Sequence, residues 1–450
     1  MSRLLRQLLC AAAAGAALAG TAGAQLLGGA LPVPPVALPG GIGNVPVAGP
    51  VLRDVLAQPG PQQGVRPTLD SVGGLTESIA QSGPQSLLEL RRLRLRELIA
   101  GNRATVESDG NGLPVRRGIV AVLDPDPAGL QVALRAGFRI ADDQRSPELG
   151  LRILSLATPN GMSAKSGLRL LQKDAPQLQA DFDHLFEPAG GALAPIGGAL
   201  AASVVGSAGT AGGGRVIGMI DGGVAAHPSL AGRSIEQNGF AGAPKPTGHG
   251  TAVASLLVGS QGSFRGAAPG ARLLVADVYG GNRAAGSATA IVAALGWLSR
   301  HHPQVINISL VGPPNKLVQR AIQIVAARGT GIVAAVGNDG PAAPPQYPAS
   351  YPGVVAITAV DARGRALPEA GKAAHLDFAA PGADMAAALP GQGYARVRGT
   401  SFAAPLAAAR LLAAGSPAAL VREARPGKGR VGRGIVCGAC RIDPRSVGAR

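Results

Sequence analysis

Aromatic residues are scarce in this 450-residue chain: Phe, Trp and Tyr make up 3% of it, although 46% is apolar. The chain is long enough for two or three domains, and their cores must be filled by Ala, Val, Leu and Ile. Lysine is also rare, with 6 of the 42 basic residues, the other 36 being Arg, and the formal net charge is +16. So few aromatics interleave with these arginines that base stacking has no platform. The charge reads as a dispersed, solvated surface, and a nucleic-acid partner is not expected. The densest basic stretch is 416–450, with eight basic and two acidic residues, read as a surface-exposed tail.

Cysteine occurs three times, as Cys10, Cys437 and Cys440. The last two form a C-x-x-C. No second pair completes a zinc ribbon, and the tail lacks the βαβ setting of a redox motif. A disulfide between Cys437 and Cys440, in an oxidising compartment, is the favoured reading. Long apolar runs are absent except for one near the N-terminus. Arg3 and Arg6 precede an apolar stretch from Leu8 to Leu18, and Ala22-Gly23-Ala24 follows before Gln25. That run is short for a membrane span, and 1–24 reads as a secretory signal peptide. A lipoprotein anchor through Cys10 fits less well, because Gln7-Leu8-Leu9 lacks a small residue before the cysteine. A soluble secreted or periplasmic protein without a membrane span is expected.

Glycine (67) and proline (37), by contrast, are abundant. Residues 25–113 begin as a Gly/Pro-rich linker and then change, over 84–100, to a basic amphipathic helix expected to lie on its own domain. Residues 114–186 alternate as a small α/β module: strand 117–123, helix from Asp124 to Ala136, strand 149–156, helix 163–172. A Gly/Ala-rich flexible linker is expected over 187–214. From 215 to 415, strands near 216–220, 271–276, 304–309, 331–336 and 353–358 alternate with helices near 250–258, 287–300, 315–328 and 401–414. Such alternation implies a mostly parallel sheet covered on both faces, with its site at the C-terminal strand ends.

Three stretches there carry chemistry. Val216–Gly223 is a buried strand ending in Asp221 and two glycines. Gly248-His249-Gly250-Thr251 opens a small-residue helix. Gly399-Thr400-Ser401-Phe402-Ala403-Ala404-Pro405 opens another. Alone, Ser401 is a helix cap, His249 a structural histidine and Asn338 an ordinary turn residue. Together the three stretches supply an acid, a base and a nucleophile in the order Asp, His, Ser. That order, with Gly266-Ala267-Ala268-Pro269, Val305–Leu310, Ala335-Val336-Gly337-Asn338-Asp339-Gly340, Tyr347-Pro348-Ala349 and Phe378–Gly382, resembles the subtilase family of serine proteases over about Arg215–Ala414.

The resemblance implies a three-layer subtilisin-like α/β fold and a secreted serine endopeptidase acting on protein or peptide substrates. Asp221, His249 and Ser401 would be the triad, Asn338 an oxyanion donor, and Ser309, Leu310 and Val311 the substrate groove. The family usually has glycine where Val311 stands. By position, 114–186 resembles the family's propeptides, so the chain's own module becomes a partner, removed by self-cleavage within 187–214. No cofactor is required for this catalysis. Structural calcium stays open: residues 215–414 hold eight acidic residues and no cluster with ligand spacing, so no metal ligands are assigned. Two other classes compete. A non-catalytic secreted binding protein on this fold would not need all four residues, and an α/β-hydrolase would run Ser, acid, His.

Overall fold

The computed structural model describes residues 83–189, 214–391 and 393–449. The expected signal peptide, the Gly/Pro-rich stretch after it and most of 187–214 lie outside the described residues.

The chain enters through α1 (Pro84–Gly101), with proline at its first turn. Leu98 and Ile99 pack against Val106 and Leu185 of the module that follows. Contrary to expectation, the helix does not rest on that module alone. Its Leu87 side chain reaches Gly340, far along the sequence, where an added Cβ would lie 2.8 Å from it.

The module is richer in strands than its sequence predicts. Strands β1 (Val106–Ser108), β2 (Pro114–Leu123), β3 (Arg139–Ser146), β4 (Leu151–Ala157) and β5 (Gln179–His184) form one antiparallel sheet. Helices α2 (Pro127–Arg135) and α3 (Ala164–Asp174) match the two expected helices to within a few residues. β3 (Arg-Ile-Ala-Asp-Asp-Gln-Arg-Ser) lacks an apolar alternation and is made a strand by pairing to β4, whereas β5 (Gln-Ala-Asp-Phe-Asp-His) alternates only through Ala180 and Phe182 and pairs to β2. One sheet face packs Val120, Val122, Leu154 and Leu156 under α2 and α3. The other, through Ala121, Leu123, Leu151 and Ile153, joins the core of the larger domain. The ordered chain continues past the expected boundary at 186 into a short strand, β6 (Glu187–Pro188).

The larger domain is built on seven parallel strands: β7 (Val216–Asp221), β8 (Ile235–Gly239), β9 (Arg272–Asp277), β10 (Val305–Ile308), β12 (Gly331–Ala335), β13 (Val354–Val360) and β14 (Phe378–Pro381), with a two-residue strand β11 (Leu310–Val311) outside the sheet. The order across the sheet is β14-β13-β12-β10-β7-β9-β8, every pairing parallel. Both faces are covered. α4 (Gly248–Val258) and α7 (Thr400–Ala414) pack on the face bearing Ile217 and Met219. α5 (Ala288–Arg300) and α6 (Lys316–Ala327) pack on the face bearing Ile220. That alternation along β7 is the period-two signature of a strand buried on both sides. The result is the expected three-layer α/β fold, with β7 near its centre.

The C-terminal residues are not the exposed basic tail that the sequence suggested. After α8 (Pro417–Glu423), the side chains of Leu420, Val436 and Ile442 enter the core beneath α4 and α7. Ile435 bridges to Ala379 at the sheet edge. The charges stay outside while the intervening apolar residues fold in. Cys437 and Cys440 are joined as a disulfide there.

Leu420 is wholly buried. Leu420→Ala should destabilise the domain by about 2–5 kcal/mol, the cost of a cavity in a well-packed core. Thermal unfolding measures it, and an unchanged midpoint would mean that the C-terminal residues contribute nothing to the fold.

Candidate active site

Asp221 lies at the C-terminal end of β7, 1% exposed, with the Gly222 N–H donating to its Oδ1 at 2.7 Å. The first turn of α4 comes against that strand end. Thr247 caps the helix by accepting the Gly250 N–H at 3.0 Å. Contact is this close because Gly250 has no side chain, since an added Cβ would stand 2.2 Å from the Gly222 carbonyl oxygen. His249, in that turn, places Nδ1 at 2.9 Å from both Asp221 oxygens. A carboxylate only accepts, so Nδ1 carries the proton, and Nε2 is left as the imidazole's acceptor.

Ser401 lies in the first turn of α7, fully buried. Phe402, next to it, holds its ring 5.3 Å from the imidazole. Among the described residues neither His249 Nε2 nor Ser401 Oγ has a hydrogen-bond partner, although both are buried. Pro405 stands four residues after Ser401 and cannot donate to the Ser401 carbonyl. Ser309 Oγ donates to it instead, at 2.9 Å. Ser309, expected as a groove residue, therefore also completes the helix that carries Ser401.

Asn338 follows β12 through Gly337, whose φ of 85° is a glycine conformation. Its amide is fixed from the α7 side: Oδ1 accepts the Thr400 N–H at 3.0 Å, and the Gly337 N–H donates to Thr400 Oγ1 at 3.0 Å. Nδ2 is thereby turned outward, where it donates to the carbonyl oxygen of Ala189.

Ala189 ends the segment that leaves the small module. That segment runs antiparallel to β11, with Pro188 opposite Leu310 and Glu187 opposite Val311. The Ala189 N–H donates to the Ser309 carbonyl at 2.9 Å. Residues 187–189, expected as the start of a flexible linker, are instead an ordered strand lying along Ser309, Leu310 and Val311. One residue earlier, the Phe186 N–H donates to the Gly286 carbonyl at 2.7 Å, and Tyr279 Oη donates to the Phe186 carbonyl at 3.1 Å. The Phe186 ring covers Gly312, where an added Cβ would come within 2.5 Å of it.

The sequence reading missed Asp277. It is paired with Asp221 across β7 and β9 and is fully buried. It accepts the N–H groups of Lys245, Tyr279 and Gly280 at 2.8–3.0 Å and so ties down the loop that holds Phe186. Burial raises its pKa, those three donors lower it and the nearby Asp221 carboxylate raises it, with a net upward shift. Burial, with the Asp221 charge, also raises the Tyr279 phenol, which stays protonated as a donor to Phe186. An Asp at the end of a second apolar strand was the available signal.

A catalytic domain in which Asp, His and Ser come from a strand end and two helix starts around a parallel sheet defines a class, the subtilisin-like serine hydrolases. Known proteins agree with it. The model of the subtilase family matches residues 212–427. Subtilisin Savinase of Lederbergia lenta is 33% identical over 223 residues, 48% of this chain and 80% of the relative. An alkaline protease of Alkalihalobacillus alcalophilus is 33% identical over 223 residues, 48% of this chain and 56% of the relative. The chain thus spans only about half of that second relative. In the crystal structure of fervidolysin from Fervidobacterium pennivorans, the fold recurs at a TM-score of 0.58 and 20% identity, over 72% of this chain and 61% of that one. The chain belongs to the subtilase family and is a serine-type endopeptidase. Among the described residues, no single helix is long and apolar enough to cross a membrane.

Asp277→Ala should raise KM for a peptide substrate about 10-fold with a smaller fall in kcat, because the residue positions a binding loop and three buried N–H groups lose their acceptor. Steady-state kinetics on the purified enzyme decide this. A fall in kcat at constant KM would contradict it.

Proposed function

We propose that the chain is an exported zymogen that cleaves itself after Ala189, through a triad of Asp221, His249 and Ser401. The observation that carries this reading is the seat of Ala189. Its carbonyl accepts from Asn338 Nδ2, and its N–H is paired to the strand after β10, so its backbone is held as a substrate's would be. The residues between the signal peptide and Ala189 are then the pro-region and β6 its product-like tail. The tail runs with Pro188 and Phe186 as the second and fourth residues before the cut.

In this mechanism Ser401 Oγ attacks the Ala189 carbonyl carbon while His249 Nε2 takes the hydroxyl proton. The two buried, unpartnered atoms, Oγ and Nε2, are the pair that this step uses. Asp221 holds the imidazole by its Nδ1–H and stabilises the imidazolium. Asn338 Nδ2 and the Ser401 N–H, at a helix N-terminus, receive the oxyanion. The imidazolium gives its proton to the leaving amine of Gly190. Water, deprotonated by His249, then releases the acyl group from Ser401. The same steps serve external protein or peptide substrates, and no cofactor enters them. Secretion or periplasmic export is supported by the N-terminal signal pattern and by the Cys437–Cys440 bond, which suits an oxidising compartment.

Purified wild-type protein should yield a fragment beginning at Gly190, and Ser401→Ala should stay uncut, with peptide hydrolysis reduced by about 10⁶-fold, the size of the loss when subtilisin is deprived of its nucleophile. N-terminal sequencing and a peptide assay read both. Cleavage of the Ser401→Ala chain at the same bond, in a protease-free host, would refute self-processing.

A further inference from the structure

Helix α1 contributes no strand to the module's sheet, yet it holds a position at the mouth of the site. Arg91 Nε bonds Asp339 Oδ2 at 3.0 Å, and Arg94 Nη2 bonds Asp339 Oδ1 at 2.9 Å. Arg94 also reaches Glu187 Oε2 through its Nε at 3.3 Å. One guanidinium thus joins the protease domain to the tail that lies in its groove. Asp339 directly follows Asn338, and Glu187 is two residues before Ala189. The carboxylates are 6% and 9% exposed, so water screens them little. Leu87 seats the start of the helix on Gly340, and Leu98 and Ile99 tie its end to the module.

Without α1 the picture changes sign. Glu187 and Asp339, both now bound by Arg94, would face one another with neither guanidinium of α1 between them. Among the described residues the other cation paired with Glu187 is Arg283, at 3.9 Å and partly exposed, and its ion pair is with Glu187 rather than with Asp339. Neighbouring like charges repel, and removing the cations of a bridged pair leaves both carboxylates uncompensated. The tail's own charge therefore works against its groove unless Arg91 and Arg94 lie between them.

We propose that α1 is a latch: its Arg91 and Arg94 bridge Asp339 to Glu187, so that the tail inhibits the protease strongly only while residues 84–101 remain attached. This rests on the zymogen reading above and adds to it a point of control. After the cut at Ala189 the module keeps the site closed. Cleavage or displacement at the α1 end, through the exposed turn at residues 103–105, turns the remaining tail into a poor inhibitor.

The test uses the full chain, either wild type, Arg91→Gln/Arg94→Gln or Arg91→Lys/Arg94→Lys. All three give the same mature protease, because the substitutions lie before the cut, so differences report the pro-region alone. The self-processed complex is diluted into a fluorogenic peptide assay, with enzyme counted by a fluorophosphonate label after the pro-region is digested. The Gln variant should show a lag at least 10-fold shorter than wild type, and the Lys variant an intermediate one, having lost the bidentate geometry and kept the charge. Should the Gln variant yield no mature enzyme, the same pair of substitutions in the Ser401→Ala chain is read by hydrogen exchange. The amides of residues 186 and 189 should then exchange at least 10-fold faster than in Ser401→Ala alone. Equal lags, or equal exchange, would overturn the latch. Absence of a cut after Ala189 in wild type would instead overturn the zymogen reading, with the exchange experiment still deciding the latch.

Discussion

The site rests on a backbone contact with no room for a side chain. The first turn of α4 touches the end of β7 at Gly250 and Gly222, and a Cβ at either position would collide, with the Gly222 carbonyl or with Thr247. That approach lets the His249 imidazole meet the Asp221 carboxylate through both oxygens. A substituent there would push the helix outward by more than a hydrogen bond tolerates. The glycines flanking Asp221 and His249 are thus steric requirements of the pair.

A second constraint is electrostatic and runs between the module and the protease domain. Helices α5 and α6 both start facing β5. Asp183 accepts the Thr289 N–H and hydroxyl at 3.0 Å, and Asp181 accepts the Lys316 N–H at 2.8 Å. Two carboxylates thus satisfy unpaired amides at the positive ends of two helices. Asn315 caps α6 and also donates to the Phe182 carbonyl at 2.8 Å. Ala121, Leu123, Leu151 and Ile153 of the module are buried in the same core as α5 and α6. The module is suited to holding α5 and α6 in place, while its tail reaches round to the groove.

Few aromatics are spent in the sheet core, which is filled by Ala, Val, Leu and Ile as the composition requires. Three of them stand at the site: Phe402 beside the imidazole, Phe186 on Gly312, and Tyr279 on the Phe186 carbonyl. The last two rings belong to the groove and its occupant. An Ala-rich core lets helices approach strands closely, and Gly218, within about a van der Waals contact of Leu298 and Ile306, shows how tightly.

What the sequence determined by itself was local and periodic. Apolar runs marked β7, β9, β10, β12 and β13 to within two residues, and small-residue or amphipathic stretches marked the helices between them. Asp221, His249, Ser401 and Asn338 were legible because each sits at an element's edge among glycines or small residues. The polar strand β3 was not, since its conformation is imposed by its neighbour and not by pattern, and the alternation in β5 spans only Ala180 and Phe182. Only the tertiary structure decided that Glu187-Pro188-Ala189 is a strand in the groove, that Asp277 supports it, and that 416–449 folds into the core. The reason is common to all three. Each depends at least in part on partners distant in sequence, supplied by strand pairing, by the Lys245 N–H that Asp277 accepts or by a shared core, and a local reading of charge or composition carries no record of them.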